Sequence, residues 1–425
     1  MTFLRGLSSV VVTLVVTLQA EVAIRPGYGR ASTGGMQIYG TGLLAALVLL
    51  ILYYKGSPIR WRGHLHRPIA LMFVMTVLAV AFSSEHFAGT DFLLSQVQLF
   101  LLYVAAMSVV RSEADVRKVV TLLLATLITQ GIVYYIQSAL SMGFNVTGDT
   151  WDLSDELPRP GGTVSANPAG FASYMIPLLF IAIAQLISGS AWRRPWTLAA
   201  TVIGLVSLVL TFTRAAWAGF VIGFSYLLLF GVRYTRMKPR TVAMIVGAAI
   251  SVVIALSPLI QMRLSESVGD AYDERAGLMQ IAMNIIAAHP VFGVGPGAYA
   301  YVFKDYLSPG MDQWLYTVHN EYLLRTAESG ILGGLAWVWI LLAALRQSRD
   351  LLKRSASLEI RALALAWGAG LLNLAWQMYW VPWRGFGYNA LFWFMLGLIE
   401  AAAMCEWGEA TVARRRDATA PDTRG

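Results

Sequence analysis

The chain has 425 residues, 57% hydrophobic and 13% charged, with a mean hydropathy of +0.60, against roughly 45–50% apolar and 25% charged in soluble domains. That excludes a soluble multidomain enzyme, which would expose much of this apolar surface, and a disordered or fibrous chain. The single Cys405 excludes an intramolecular disulfide and a cysteine metal cluster, and the net charge of +8 comes with no nucleic-acid motif.

In chain order, apolar runs suited to membrane helices recur at residues 7–23, 36–54, 68–82, 92–110, 119–142, 169–187, 197–212, 215–232, 242–256, 331–345, 362–380 and 389–404. The first could be a signal peptide opened by Arg5. Its Glu21 and Arg25 flanks and the lack of a clean small-residue cleavage site favour a permanent helix. The Phe212–Ala215 junction is tight enough for one long bent span to compete with two. Charge decides for two: with the N-terminus inside, 23 of the 32 Lys and Arg fall on inner loops, as the positive-inside rule requires. The expected fold is therefore all-α and polytopic, with about twelve transmembrane helices and both termini inside. Helices 1 to 9 occupy residues 1–256, a large outer loop with amphipathic helices 257–330, and helices 10 to 12 331–407. The polar tail 408–425 is expected to be disordered and cytoplasmic.

Two outer segments are long, 143–164 and 257–330, and long loops in compact folds tend to carry function. Within the second, Leu278, Ile281, Ala282 and Ile285 recur at helical spacing, which predicts an amphipathic helix on the outer membrane face. Pro290 and the run Gly293-Val-Gly295-Pro-Gly297 end it. That run lacks the βαβ context of a dinucleotide site, so it reads either as a turn that closes the loop or as an amide cradle for an anion.

Polar chemistry concentrates in three places. His319 lies in Tyr316-Thr-Val-His319-Asn320-Glu321-Tyr-Leu-Leu-Arg325, at the mouth of a span, where Glu321 and Arg325 are spaced for a helical ion pair. Arg214 sits at the outer junction of two apolar helices. A cation there is costly unless it meets an anion or water, although it could also snorkel to the interface. Arg275 opens the amphipathic helix, where a surface salt bridge to its acidic neighbours is the bland alternative. Composition and spacing do not establish that the three converge.

At these residues the chain resembles the O-antigen ligase and polymerase superfamily, most closely its ligase branch. The resemblance is carried by Thr213-Arg214-Ala-Ala-Trp, by the Arg275 helix ending in His289-Pro-Val-Phe-Gly-Val-Gly-Pro-Gly-Ala-Tyr299, by Val318-His319-Asn320-Glu321-Tyr-Leu with Glu328-Ser-Gly-Ile-Leu-Gly-Gly, and by an upstream Arg159-Pro-Gly-Gly-Thr with Asn167-Pro168. It implies a glycosyltransferase of GT-C type in the bacterial inner membrane. Such an enzyme moves a glycan from undecaprenyl diphosphate, at the periplasmic face, to a sugar hydroxyl of the lipid A core oligosaccharide. Carried over by motif, His319 would be the catalytic base and Arg214 and Arg275 would bind the diphosphate. Asn320, Tyr316, Arg159 and Glu321 would support them, Glu321 as a second-choice base or as the group that orients His319.

The residue types suit that reaction. A lipid diphosphate leaves readily once its growing charge is neutralised, and guanidinium groups grip phosphate oxygens at two points. An imidazole titrates near neutrality and can take the proton of an attacking hydroxyl. Attack opposite the diphosphate predicts inversion. No Asp-x-Asp pair lies among the outer acidic residues, so neither a metal nor another cofactor is expected. Polymerase and protein O-oligosaccharyltransferase activities would share the donor. A small-anion transporter is the reading from another class, though the two halves of the chain lack the internal symmetry it should show.

Overall fold

A computed structural model of the chain describes residues 23–24, 38–83, 85–144, 150–153, 159–165, 167–188, 194–235, 269–307 and 317–419, with scattered positions between 240 and 261. Two expected spans, 7–23 and 242–256, fall wholly or largely outside the described residues. The other ten are helices. They are α1 (Gly40–Tyr54), α2 (His66–Phe82), α3 (His86–Val109), α4 (Glu113–Leu140), α5 (Pro168–Ile187), α6 (Arg194–Leu210), α7 (Arg214–Tyr234), α10 (Glu321–Arg354), α11 (Leu358–Met378) and α12 (Phe386–Thr419). Among the described residues seven of these are long and apolar enough to cross a membrane, while α1, α2 and α6 are shorter apolar helices. The chain is a multi-pass membrane protein. Two small antiparallel hairpins accompany the helices, β1 (Ala23–Ile24) with β2 (Ile38–Tyr39) and β3 (Met142–Phe144) with β4 (Thr150–Asp152). Of the tail, residues 408–419 are described, and they continue α12 as helix to Thr419.

The helices are apolar on every side, so sequence patterning alone does not say which face packs. Small residues do much of that work. Gly219 and Gly223 of α7 lie against Asn373 and Ala369 of α11, where an added Cβ would come within 2.5 Å and 2.6 Å of their oxygens. Leu43, Leu47 and Leu50 of α1 and Leu229 of α7 stay exposed, as expected of helices whose other faces meet lipid.

Packing also sets direction. Arg117 near the start of α4 pairs with Glu359 near the start of α11 at 3.4 Å, so these two helices begin at the same end. Gly204 of α6 lies against Leu127 of α4, and further along both helices Tyr134 donates to Leu210 O, so α6 runs parallel to α4. Helix α7 runs antiparallel to α11, since Gly219 meets Asn373 while Tyr234 O accepts from Arg361 Nη1. Helices α6 and α7 are thus two antiparallel elements, broken by Phe212 at φ 49° and by an extended Thr213.

One end of the bundle gathers the 55–65, 110–112 and 355–357 loops, where Arg60 Nη1 donates to Val110 O and Arg111 Nη2 to Pro58 O. The opposite end gathers residues 83 and 85, 141–144, 150–153, 159–165, 167, 211–213, 289–307, 317–320 and 379–385. There a second apolar cluster forms, with Leu278, Ile281, Ala282 and Ile285 of α8 (Gly269–Ala288) packed on Val318, Leu324 and Ala327 and on Tyr299 of the short α9 (Tyr299–Val302). The apolar stripe of α8 therefore faces protein rather than the membrane surface that its periodicity suggested.

Candidate active site

Every described candidate lies at this second end. His319 stands just before α10, between Val318, which is fully buried, and Asn320, which is 3% exposed. Asn320 caps the helix, its Oδ1 accepting from Leu323 N at 3.1 Å. The imidazole is thus held between two anchored neighbours and stays partly exposed itself.

Two and a half turns on, α10 breaks at Gly330, whose φ is 71° and whose Cβ, if present, would run into the Val291 carbonyl. The break frees backbone groups that a continuous helix would pair, and the Pro290–Gly295 turn takes them. Ile331 N donates to Pro290 O, Val294 N to Ala327 O and Gly295 N to Glu328 O, at 2.9, 2.9 and 3.0 Å. Gly293 N is also used, donating to His289 O. These amides of the glycine run therefore splice the end of α8 into the kink of α10, which leaves the loop-closure reading and removes them as an anion cradle.

The face of α10 below His319 is charged and buried. Glu321 has no exposed surface; its Oε1 accepts from Arg325 Nε at 2.5 Å and its Oε2 from Trp383 N at 2.7 Å. With both oxygens engaged, it braces the helix against the 379–385 loop. Glu328, 2% exposed, pairs with Arg384. Arg325 and Arg384 lie over the two sides of one neighbourhood, each within cation–π range of Phe92, at 5.0 and 5.4 Å. Burial works against the Arg384 charge, but Glu328 and Glu321 outweigh it and hold that guanidinium above its ordinary range.

The last turns of α11, with Trp380 just beyond them, neighbour the elements that carry the three main candidates. Tyr322, three residues after His319, donates to Ala375 O at 2.8 Å. Arg275, near the start of α8, lies 5.8 Å over the Trp380 ring. Gly219, roughly 7–8 Å along α7 from Arg214 at 1.5 Å per residue, abuts Asn373 and Trp376. Arg214 itself is partly buried at the first position of α7, at the positive end of that helix. Arg159 belongs to the same end. It acts electrostatically on Tyr134, whose Oη donates to Leu210 O, four residues before Arg214. Tyr316 lies outside the described residues. Among the described residues no group of three or more His, Cys, Asp or Glu could hold a metal ion.

Arg384 and Glu328 were not singled out by sequence. The argument that flags Arg214, a cation in a short link between apolar helices, applies equally to Arg384 in Pro382-Trp-Arg384-Gly.

Residues 199–338 match the protein family described as O-antigen ligase, a stretch of about a third of the chain that contains Arg214, Arg275 and His319. The match supports the O-antigen ligase/polymerase superfamily and a glycosyltransferase-like activity on lipid-linked glycans at a membrane. No curated protein matches the chain.

Proposed function

We propose that this protein is an O-antigen ligase of the bacterial inner membrane. It transfers a glycan from undecaprenyl diphosphate to a sugar hydroxyl of the lipid A core, at the periplasmic face, with inversion and without a metal. The basic end of the bundle is then cytoplasmic and the candidate site periplasmic. The observation that carries this reading is the outer end of α11, with Trp380 just beyond it, which neighbours the His319 helix, the Arg275 helix and the helix that Arg214 opens.

In the reaction the acceptor oxygen attacks the anomeric carbon while the bond from that carbon to the diphosphate oxygen breaks. The hydroxyl proton passes to His319. Charge accumulating on the departing diphosphate meets Arg214, the α7 amino end and Arg275. Arg159, close to the last turn of α6, supports the same electropositive mouth.

The test is transfer by purified protein in proteoliposomes from a lipid diphosphate-linked glycan. Three acceptors are offered, a core oligosaccharide, a second copy of the donor glycan, and a protein hydroxyl. Transfer to the core, insensitive to chelator, is expected. Transfer only between donor glycans makes the protein a polymerase, transfer to protein makes it an O-oligosaccharyltransferase, and anion flux without any transfer returns the transporter reading.

A further inference from the structure

The short outer segment of α10, Glu321 to Ser329, is fastened to the 379–385 loop at both of its ends. Near His319, Glu321 Oε2 accepts from Trp383 N; two turns on, Glu328 pairs with Arg384. Glu321 and Glu328 are seven residues apart and Arg325 lies between them at the i+4 position, so all three share one helix face. Two fastenings on one face fix both the height of the segment and its rotation about its axis, which a single one does not.

The loop and the segment are also linked the other way round. Trp380, in that loop, lies beneath Arg275 of α8, and the turn after α8 returns to Glu328, whose carbonyl accepts from Gly295 N. Glu328 is therefore the junction of three pieces: the segment that starts beside His319, the turn that follows the Arg275 helix, and the loop that carries Trp380. Its side chain joins the loop and its backbone joins the turn. The pair is dear to keep. The Glu328 side chain is 2% exposed and that of Arg384 30%, and an ion pair drawn this far out of water is weak stabilisation compared with well-packed apolar side chains.

We propose that Arg384, acting through Glu328, is a positioning residue for transfer, one that sets His319 against the diphosphate site at Arg275. This rests on the ligase reading above. Arg384 touches neither sugar nor diphosphate; it holds the segment on which the base is mounted, so its loss should lower the rate of the chemical step and leave donor recognition alone.

The measurement is steady-state glycan transfer in proteoliposomes by wild type, Arg384→Ala, Arg384→Lys, Glu328→Gln, and the reversed pair Glu328→Arg with Arg384→Glu, with His319→Ala as control. For Arg384→Ala and Glu328→Gln a fall in kcat of tenfold or more is expected, with donor KM within about twofold of wild type. Arg384→Lys and the reversed pair should each recover part of kcat. Wild-type kcat in Arg384→Ala or Glu328→Gln, or a change in donor KM alone, would overturn the proposal. Should Arg384→Ala fail to assemble, the near-isosteric Glu328→Gln decides by the same criteria. Absence of transfer in wild type would count against the ligase reading, whereas transfer that His319→Ala abolishes and Arg384→Ala spares would count against the positioning role alone.

Discussion

The two ends of the bundle treat charge in opposite ways. At the basic end Lys55, Arg62, Arg67, Arg233, Arg346, Arg349, Lys353 and Arg354 stand exposed on loops and helix termini, where water and lipid headgroups solvate them cheaply. At the other end Glu321, Arg325 and Glu328 are 0, 5 and 2% exposed, and Arg159, Arg214 and Arg275 are partly buried. Charges drawn into a low-dielectric mouth carry a desolvation cost that exposed ones do not. The contrast separates charges that water and headgroups can solvate from charges that need partners inside the protein, and the latter are the ones the proposed function uses.

The largest effect that would sharpen this contrast is at His319. Replacing it with Ala should reduce transfer by ~10²–10⁴-fold, the usual value of a general base, with donor KM little changed; transfer at the wild-type rate would remove it from the chemistry. Next, Arg214→Lys and Arg275→Lys keep the charge but lose the two-point grip on phosphate. Transfer should drop at least tenfold for each, whereas Arg349→Lys, at the basic end, should leave the rate untouched. A smaller effect, on stability, is expected at the splice. Gly330→Ala combines a positive φ with a clash against Val291 O, so it should cost on the order of 1–3 kcal/mol from backbone strain alone and lower the thermal midpoint in detergent. An unchanged midpoint would mean that the kink relaxes freely.

The smallest effect lies at the basic end, at a buried carboxylate. Glu400 has no exposed side-chain surface, yet it accepts from Leu65 N at 2.9 Å and meets His64 Nδ1 at 3.3 Å. The hydrogen bond to Glu400 raises the His64 pKa above 6.5 against a smaller burial effect. Its contribution to stability is then complete below about pH 6.5 and lost as the pH climbs through the raised value. His64 is 55% exposed, so the effect is small. The midpoint of wild type, relative to His64→Ala, should fall as the pH rises above about 6.5, and parallel profiles for the two proteins would contradict the linkage.

Much of this architecture was legible before any coordinates. Apolar runs marked ten described helices, seven of them long enough to cross a membrane, and alternating Lys and Arg separated α6 from α7 where the run itself was nearly continuous. The i to i+4 spacing of Glu321 and Arg325 announced their pair. What sequence could not give was partnership at a distance. The glycine run after His289 has partners at Ala327 and Glu328, which no local pattern names, so its amides looked available for an anion. The apolar stripe of α8 is equally good for lipid or protein, because periodicity shows that a face is apolar and not what covers it. Arg384 counts as one more outer cation until Glu328 is found beside it.

The most direct test of the central claim is a structure of the protein bound to an undecaprenyl diphosphate-linked glycan. The account predicts the diphosphate within hydrogen-bond reach of the Arg214 and Arg275 guanidinium groups, and the His319 imidazole facing the anomeric carbon from the side opposite the leaving oxygen. A diphosphate seated elsewhere, or a His319 too far from the sugar for a hydroxyl to bridge them, would contradict it.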